Sequence, residues 1–594
     1  MKHDNSFIRG IFLKYAGLSS FALLCSTLGQ LGNSVVVGNM LGSEALSFVT
    51  LINPLYCIFT IGGYLLSIGG LAVCSFLIGE DKFLQCGKAY TVTYILTVMT
   101  GVIVSGLMLL FLPGILKLSG VSGEIYGEVY DYAVMTVVTG VFTMAMYPAF
   151  NFLRLDGKMK AAVAVFFLQG AVTVVADVLL IESGAGITGV GIATLCGTAL
   201  SGIGGFLIIA VKGKILKPEK VTLKEFIRLS GKIIRTGSPG AVENACIAVR
   251  SVVLNNLLMS TFGTYAVTAI GVVNSVNSVA LIIISAFSGA VIPFIGVFSA
   301  DRDTSGIRRI LSEALKWGGS LTSVLALFLI LFPTAAVLAF GVSEGEAYDV
   351  TVTAVRLFSV SLPGSMLGNL LISMHLANKR VWLANIITFL RHFGFLILFF
   401  FALVSSEDGK AVWNAYWLTE AATLAVTGIM HLAVSRKKAY VNKLTLFDEE
   451  TEKAGKSFSY TVQNNVESVI GCVEEVGRFA GENELSPKKS MLLSLSLEEM
   501  LSSVREHALK GKSGLTIEVR IVIINDDLII RIRNGGAQFN PISYYEKMSR
   551  SAEGGGIDDM LALEDSLGIK MILDATRVVD YRRTFGVNNL TVVV

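Results

Sequence analysis

The chain has 594 residues, of which 53% are hydrophobic and only 16% charged, and its mean hydropathy is +0.67. Soluble proteins carry about 25% charged residues, so a wholly soluble chain and a disordered one are both excluded. A net charge of +3 is too small for a bulk nucleic-acid binder.

Apolar runs recur from residue 11 to about 434, and about 20 apolar residues suffice for a helix to cross the hydrocarbon core. Twelve helices are predicted, at 11–37, 46–78, 89–112, 130–152, 161–181, 188–211, 237–261, 266–298, 314–336, 350–376, 381–403 and 412–434. The first is too long for a signal peptide and lacks its cleavage pattern. Residues 1–439 hold 30 Lys+Arg and 22 Asp+Glu, whereas 440–594 hold 18 and 23. The second stretch has the charge density of a soluble domain. The expected organisation is a first six-helix bundle (1–215), a basic cytoplasmic linker (216–236), a second six-helix bundle (237–437), a linker (438–455) and a soluble domain (456–594).

Loop charge sets the expected orientation. Alternating helices put 25 of the Lys and Arg residues in 1–439 on one side and two, Lys117 and Lys410, on the other. Arg250, Arg356 and Arg391 fall inside helices. The positive-inside rule then places both termini in the cytoplasm, with the chain a multi-pass protein of the plasma membrane. The halves also repeat. Gly42 and Gly263 lie 221 residues apart, Asp81 and Asp301 lie 220 apart, and Gly157 pairs with Asn378 at the same offset. Two six-helix repeats are a common build for secondary transporters, with the substrate site between them.

Several segments carry a family likeness. "NSVVVGNMLGSEAL" resembles the VD-x-x-x-VG-x-x-LG-x-x-AL pattern of the multidrug and toxic compound extrusion (MATE) transporters. "NFLRLDGKMKAAV", "VADVLLI" and "GITGVGIAT" are similar to that family's fourth-to-sixth helices, and "RTGSPGAVENA" with "FGTYAVTAIGV" to the start of its second half. The resemblance covers about residues 10–435. It implies a twelve-helix exporter driven by a sodium or proton gradient.

Ionisable residues within a bilayer are costly and mark candidate sites. Asp177, in "VTVVADVLLI" of helix five, can take a proton or bind a cation, and either couples ion occupancy to conformation. It matches the acidic position that the resembled family keeps there; the plainer role is a place near the headgroups, since Glu182 follows five residues later. Glu243 and Arg250 lie seven residues apart in helix seven, so they share a face. Two charges facing one cavity are expected rather than a direct pair: Glu243 to contact ion or substrate, its plainer role being an inner-surface residue near Arg235, and Arg250 to serve in structural pairing, neutralising Asp177 or Glu243 in one of two states. Asn33 stands where the family pattern has Asp; it cannot carry a proton but can ligate sodium or hydrogen-bond substrate. Arg391, His392 and Glu420 are expected to bond between helices, and Asn274 and Asn277 to line a cavity or join helices. No GxxxxGK[ST] pattern is present, which excludes an ABC-type pump. The seven cysteines form no CxxC or Cys/His cluster, so no zinc site or disulfide framework is expected.

Residues from about 456 onward predict strand, helix, helix, two strands, loops, a helix and two strands, an α/β sandwich with helices on one face of a mixed sheet. "SLEEMLSSVREHA", "RNGGAQFNP" and "LEDSLGIKMI" resemble motifs of the histidine-kinase-like ATPase fold, in its anti-sigma-factor serine-kinase branch. The resemblance places Glu499, Ser503 and His507 on the E-x-x-x-N-x-x-x-H stripe, with Asn534 for the family's Asp and Gly536 for its glycine. It implies an ATP and Mg²⁺ site in which Ser503 is a shorter metal ligand and Asn534 an uncharged acceptor. Both departures point to a retained fold used for regulation or docking, so the chain is expected to be no enzyme.

The leading expectation is a cation-coupled antiporter exporting amphipathic, cationic small molecules by alternating access, with no required cofactor beyond sodium or protons. Its partners are then the substrate, the bilayer and a cytoplasmic regulatory protein, with no nucleic acid. The alternatives are a flippase for a lipid-linked head group, which needs Arg250, Arg356 and Arg391 to converge in one cavity, and a sensor signalling through residues 440–594.

Overall fold

The computed structural model describes residues 6–80, 82–118, 126–213, 215–300, 303–339, 345–404, 410–436, 442–447, 456–510, 515–524, 527–552, 567–584 and 587–594. The chain divides into two units, Phe12–Arg436 and Lys437–Val594 together with Met1–Ile11.

The first unit is helical. Its first half runs α1 (Ser6–Met40), α2 (Gly42–Gly79), α3 (Phe83–Leu118), α4 (Tyr126–Leu155), α5 (Met159–Glu182) and α6 (Gly186–Lys212). The second half runs α7 (Leu223–Phe262), α8 (Thr264–Ala300), α9 (Thr304–Leu331), α10 (Pro333–Ala339), α11 (Glu346–Val360), α12 (Leu362–Ala377) and α13 (Val381–Phe389). A π-helical turn (Leu390–Gly394) joins α13 to α14 (Phe395–Leu403), and a 3-10 turn (Ala411–Asn414) leads into α15 (Ala415–Ser435). Every one of the twelve predicted segments falls on helix. Among the described residues, ten helices are long and apolar enough to span a membrane, or eleven with the α11–α12 pair counted as one.

The helix limits differ from the sequence expectation in three places. The linker expected at 216–236 is helical from Leu223, because Thr222 and Glu225 form a reciprocal capping box there. At 40 residues α7 is about 60 Å long, roughly twice the hydrocarbon thickness. The segment expected at 314–336 breaks at Phe332, whose ψ of 51° leaves the helical range as the residue before Pro333. The segment expected at 350–376 bends by 45° between α11 and α12, where Pro363 opens the second helix.

The loop paired with Gly157 shifts by one residue. Gly157 (φ 77°) turns the chain between α4 and α5, but between α12 and α13 it is Lys379 (φ 57°), and not Asn378 (φ −86°), that does so. Asp81 and Asp301 lie outside the described residues. The halves meet through α2, which packs on α4 in its own half and on α7 and α8 in the other. The crossing with α7 is backbone on backbone: a Cβ at Gly69 would strike the Ile233 carbonyl, and one at Gly237 the Leu65 carbonyl. Near the same end, Lys379 Nζ lies 3.0 Å from the centroid of the Phe76 ring and 3.9 Å from Glu80 Oε1.

The second unit holds β1 (Ser457–Gln463), α16 (Val466–Glu482), α17 (Pro487–Ser503) with a π-helical turn (Val504–Leu509), β2 (Thr516–Ile524), β3 (Asp527–Asn534), α18 (Pro541–Ala552), α19 (Leu567–Ala575), β4 (Val578–Thr584) and β5 (Val587–Val593). The strand order is β1-β2-β3-β5-β4. All four neighbouring pairs are antiparallel, so the expected mixed sheet is corrected. Two consecutive helices between β1 and β2 return the chain to the end it left, which makes the next strand run the opposite way. Leu567–Ala575 is the helix expected before the last two strands, and Pro541–Ala552, in the stretch expected as loops, is helical too. The core joins Val469, Cys472 and Val476 of α16 and Leu493, Leu497, Met500 and Leu501 of α17 to Val519, Ile521, Ile530 and Ile532. Burial pushes the Cys472 thiol up to about 12, which makes it a packing residue rather than a reactive one.

Candidate functional site

Each half of the membrane unit holds a polar cluster, and they differ in kind. In the first half, Gln169, Thr173 and Asp177 recur every four residues on one stripe of α5. All three are buried, Asp177 completely. Small residues bring neighbouring helices onto α5. Gly29 of α1 meets Gly170 backbone to backbone, Gly32 lies against Val174, and Gly197 of α6 against Thr173 and the Gln169 carbonyl. Neither carboxylate oxygen of Asp177 has a hydrogen-bond partner among the described residues, nor has Gln169 Oε1. Tyr132 of α4 lies within electrostatic reach of Asp177 and of Tyr56 on α2. Asn33 sits on α1 one residue beyond Gly32, half-buried, on the helix that crosses α5. Buried unpaired polar groups are rare and call for an explanation. Asp177 is thus an enclosed side chain, while Glu182, five residues later, is exposed.

In the second half, α7, α8, α11, α12, the π-helical turn and α15 enclose a cavity of about 50 Å³, room for a few waters or one small ligand group. Its lining includes Glu243, Arg250, Asn274, Asn277, Arg391, His392, Tyr416 and Glu420. Arg391 Nε donates to both oxygens of Glu420, at 2.8 and 2.9 Å, and Ser365 Oγ donates to Glu420 Oε1 at 2.8 Å. The π-helical turn inserts one residue and so aims Arg391 and His392 inward together. Gly364 and Gly368 of α12 leave the room: a Cβ at Gly364 would crowd Glu420, and one at Gly368 would lie 3.1 Å from Arg391 Nε. His392 Nε2 is 3.5 Å from Glu243 Oε1, an ion-pair separation too long for a hydrogen bond.

The structure therefore gathers Glu243 and Arg250 into one cavity and places Asp177 and Asn33 in the other half. Arg250 makes no hydrogen bond or ion pair among the described residues, and Glu243, two turns away on the same stripe, lies within its electrostatic reach. Arg391 and Glu420 do bond between helices, whereas His392 only approaches Glu243. Arg356 lies outside this cavity, exposed, its Nε donating to Ile330 O at 3.3 Å. Sequence reasoning passed over Tyr416 and the buried His375–His431 contact of 2.8 Å between α12 and α15. No group of three or more His, Cys, Asp or Glu suited to a metal occurs among the described residues.

In the second unit, Asn534 Oδ1 accepts from Asn588 Nδ2 at 2.8 Å and from Gly536 N at 3.1 Å. Gly536 packs on the Ala508 carbonyl of the π-helical turn, and Gly568 on the Glu499 carboxylate. The His507 ring stacks against Phe539 and Tyr544, at 4.8 and 4.5 Å between centroids. Ser503 is half-buried at the end of α17. Residues 553–566, between α18 and α19, lie outside the described residues.

The model of the MatE family matches residues 19–179 and 239–401, more than half of the chain. The multidrug export protein MepA of Staphylococcus haemolyticus is 22% identical over 280 residues, which span 46% of this chain and 60% of that protein. A MOP superfamily transporter from Pyrococcus furiosus, described as having a binding pocket of reverse polarity that suggests a different function, superposes with a TM-score of 0.65 at 18% identity, over 73% of this chain and 97% of its own. A mutant of the Vibrio cholerae MATE transporter VcmN superposes with a TM-score of 0.66 at 17% identity, over 73% and 98%. At these identities the structural likeness is one of fold.

Proposed function

The chain belongs to the MatE family, and from that premise we propose that it exports amphipathic, cationic small molecules by alternating access, in exchange for sodium or protons. The observation that carries the reading is Asp177, fully buried with both oxygens unpartnered. Such a carboxylate is tolerated only protonated or holding a cation, so its occupant differs between states that open to different sides. Oxygen donors suit sodium, and Gln169, Thr173 and Asp177 offer a row of them. The charge count supports a plasma-membrane protein with both termini in the cytoplasm.

The flippase reading is weaker: Arg250 and Arg391 share a cavity, but Arg356 does not join them. For the second unit we propose a degenerate histidine-kinase-like ATPase fold serving as a regulatory or docking module. The Asn534 oxygen that adenine would need already accepts two internal bonds. Titrating the full-length protein with ATP and Mg²⁺ tests this, with no saturable binding expected.

The transport reading is tested by ethidium efflux from energised vesicles, comparing wild type with Asp177→Asn and Glu243→Gln. Gradient-driven efflux is expected to collapse in Asp177→Asn. Unchanged efflux in both variants would overturn the assignment.

A further inference from the structure

The cavity of the second half holds two guanidinium groups with unequal fates. Arg391 is spent on one side: its Nε faces Glu420, whose oxygens also serve Ser365. Its Nη1 is buried with no partner among the described residues, on a residue only 5% exposed. Arg250 makes no hydrogen bond or ion pair among the described residues and lies within electrostatic reach of Glu243 and Tyr416, although a guanidinium offers five N–H donors and keeps its charge at any physiological pH. The one carboxylate not already bonded is Glu243. It sits two turns from Arg250 on the same helix, about 10 Å along the axis, and faces His392 instead. Asn274 and Asn277 of α8 line the same space with amide groups. The cavity thus holds unused guanidinium donors beside one carboxylate, Glu243, that is bonded to neither of them.

We propose that this cavity is an anion site, in which Arg250 and the free edge of Arg391 take a carboxylate or a similarly small monovalent anion. A planar anion between two guanidinium forks gains charge-assisted, bidentate hydrogen bonds that ammonium groups could not supply. About 50 Å³ admits a carboxylate or a chloride. The occupant is either a free small anion or the carboxylate of an amphipathic substrate lodged between the halves. This deepens the transport reading and rests on it for the second arm of the test alone.

In the first arm, the melting midpoint of the detergent-solubilised full-length protein is followed as sodium acetate or chloride replaces the bulky disulfonate PIPES at constant pH and ionic strength. A saturable rise of several degrees is expected in wild type. Arg250→Gln should weaken the half-saturating concentration at least tenfold, and Arg250→Lys should weaken it less. Should Arg250→Gln fail to melt cooperatively, Arg250→Lys carries the comparison. Acetate and chloride acting no differently from PIPES on wild type, or either variant titrating like wild type, would overturn the proposal. In the second arm, vesicles export rhodamine B, which bears a carboxylate, and its ethyl ester, which does not. A tenfold or greater rise in the KM ratio of acid to ester in Arg250→Gln identifies the substrate carboxylate as occupant. An unchanged ratio, with the acetate response present in wild type and lost in the variant, identifies a free anion. If wild type exports neither dye, the transport reading fails while the melt still decides the anion site.

Discussion

The two halves of the membrane unit treat buried charge in opposite ways. In the first half Asp177 stands alone among hydroxyl, amide and phenol groups. In the second, Arg391 and Glu420 satisfy each other with Ser365 as a third member. A lone acid in a low-dielectric interior must change its occupant when its surroundings change; a bonded pair keeps its charges and holds helices in register. On the export reading proposed above, the moving charge belongs to the first half and the fixed frame to the second.

The comparison is broken most severely at Asp177. Asp177→Asn is expected to lower gradient-driven efflux by roughly 100-fold, about 2.7 kcal/mol in barrier terms, with the melting midpoint unchanged or raised. A melting loss with efflux intact would reverse the roles of the two halves. Next comes the pair. Arg391→Ala should destabilise the protein by about 3–5 kcal/mol by leaving Glu420 buried and uncompensated. The double variant Arg391→Met with Glu420→Met should lose clearly less, which chemical denaturation of all three proteins would read. The π-helical turn gives a sharper probe. Gly368→Ala pushes a methyl against Arg391 and should cost about 1–3 kcal/mol without removing any charge. The smallest effect is expected at Arg356→Gln, within about 0.5 kcal/mol, because that side chain is exposed and outside the cavity.

Much of the fold was legible because a spanning helix announces itself within one segment. Twenty apolar residues need no tertiary context, and each predicted segment proved helical. The start of α7 was legible too, in Thr222-Leu223-Lys224-Glu225, but the basic residues around it pointed to a linker. Pro333 marked the break before α10 in the same way. Asp177 stood out as a charge in an apolar run. Its lack of a partner depends on what α1, α4 and α6 bring to it, and no local pattern states that. The Arg391–Glu420 pair joins positions 29 residues apart through a π-helical turn, a one-residue insertion that hydropathy does not register. The seven-residue spacing put Glu243 and Arg250 on one face of α7, and both line the same cavity without pairing directly. In the second unit, the alternation in β2 and β3 fixed the hairpin, but strand direction depended on how many helices intervened.

The bare crossing of Gly69 on Gly237 limits how the two halves can move. With no side chain between them, the strands of main chain behave like the axle of a rocker: they can roll on one another but cannot be drawn apart without opening a void, and they cannot be thickened without a collision. Any rearrangement that swaps which face admits solute must turn about that point or abandon it altogether.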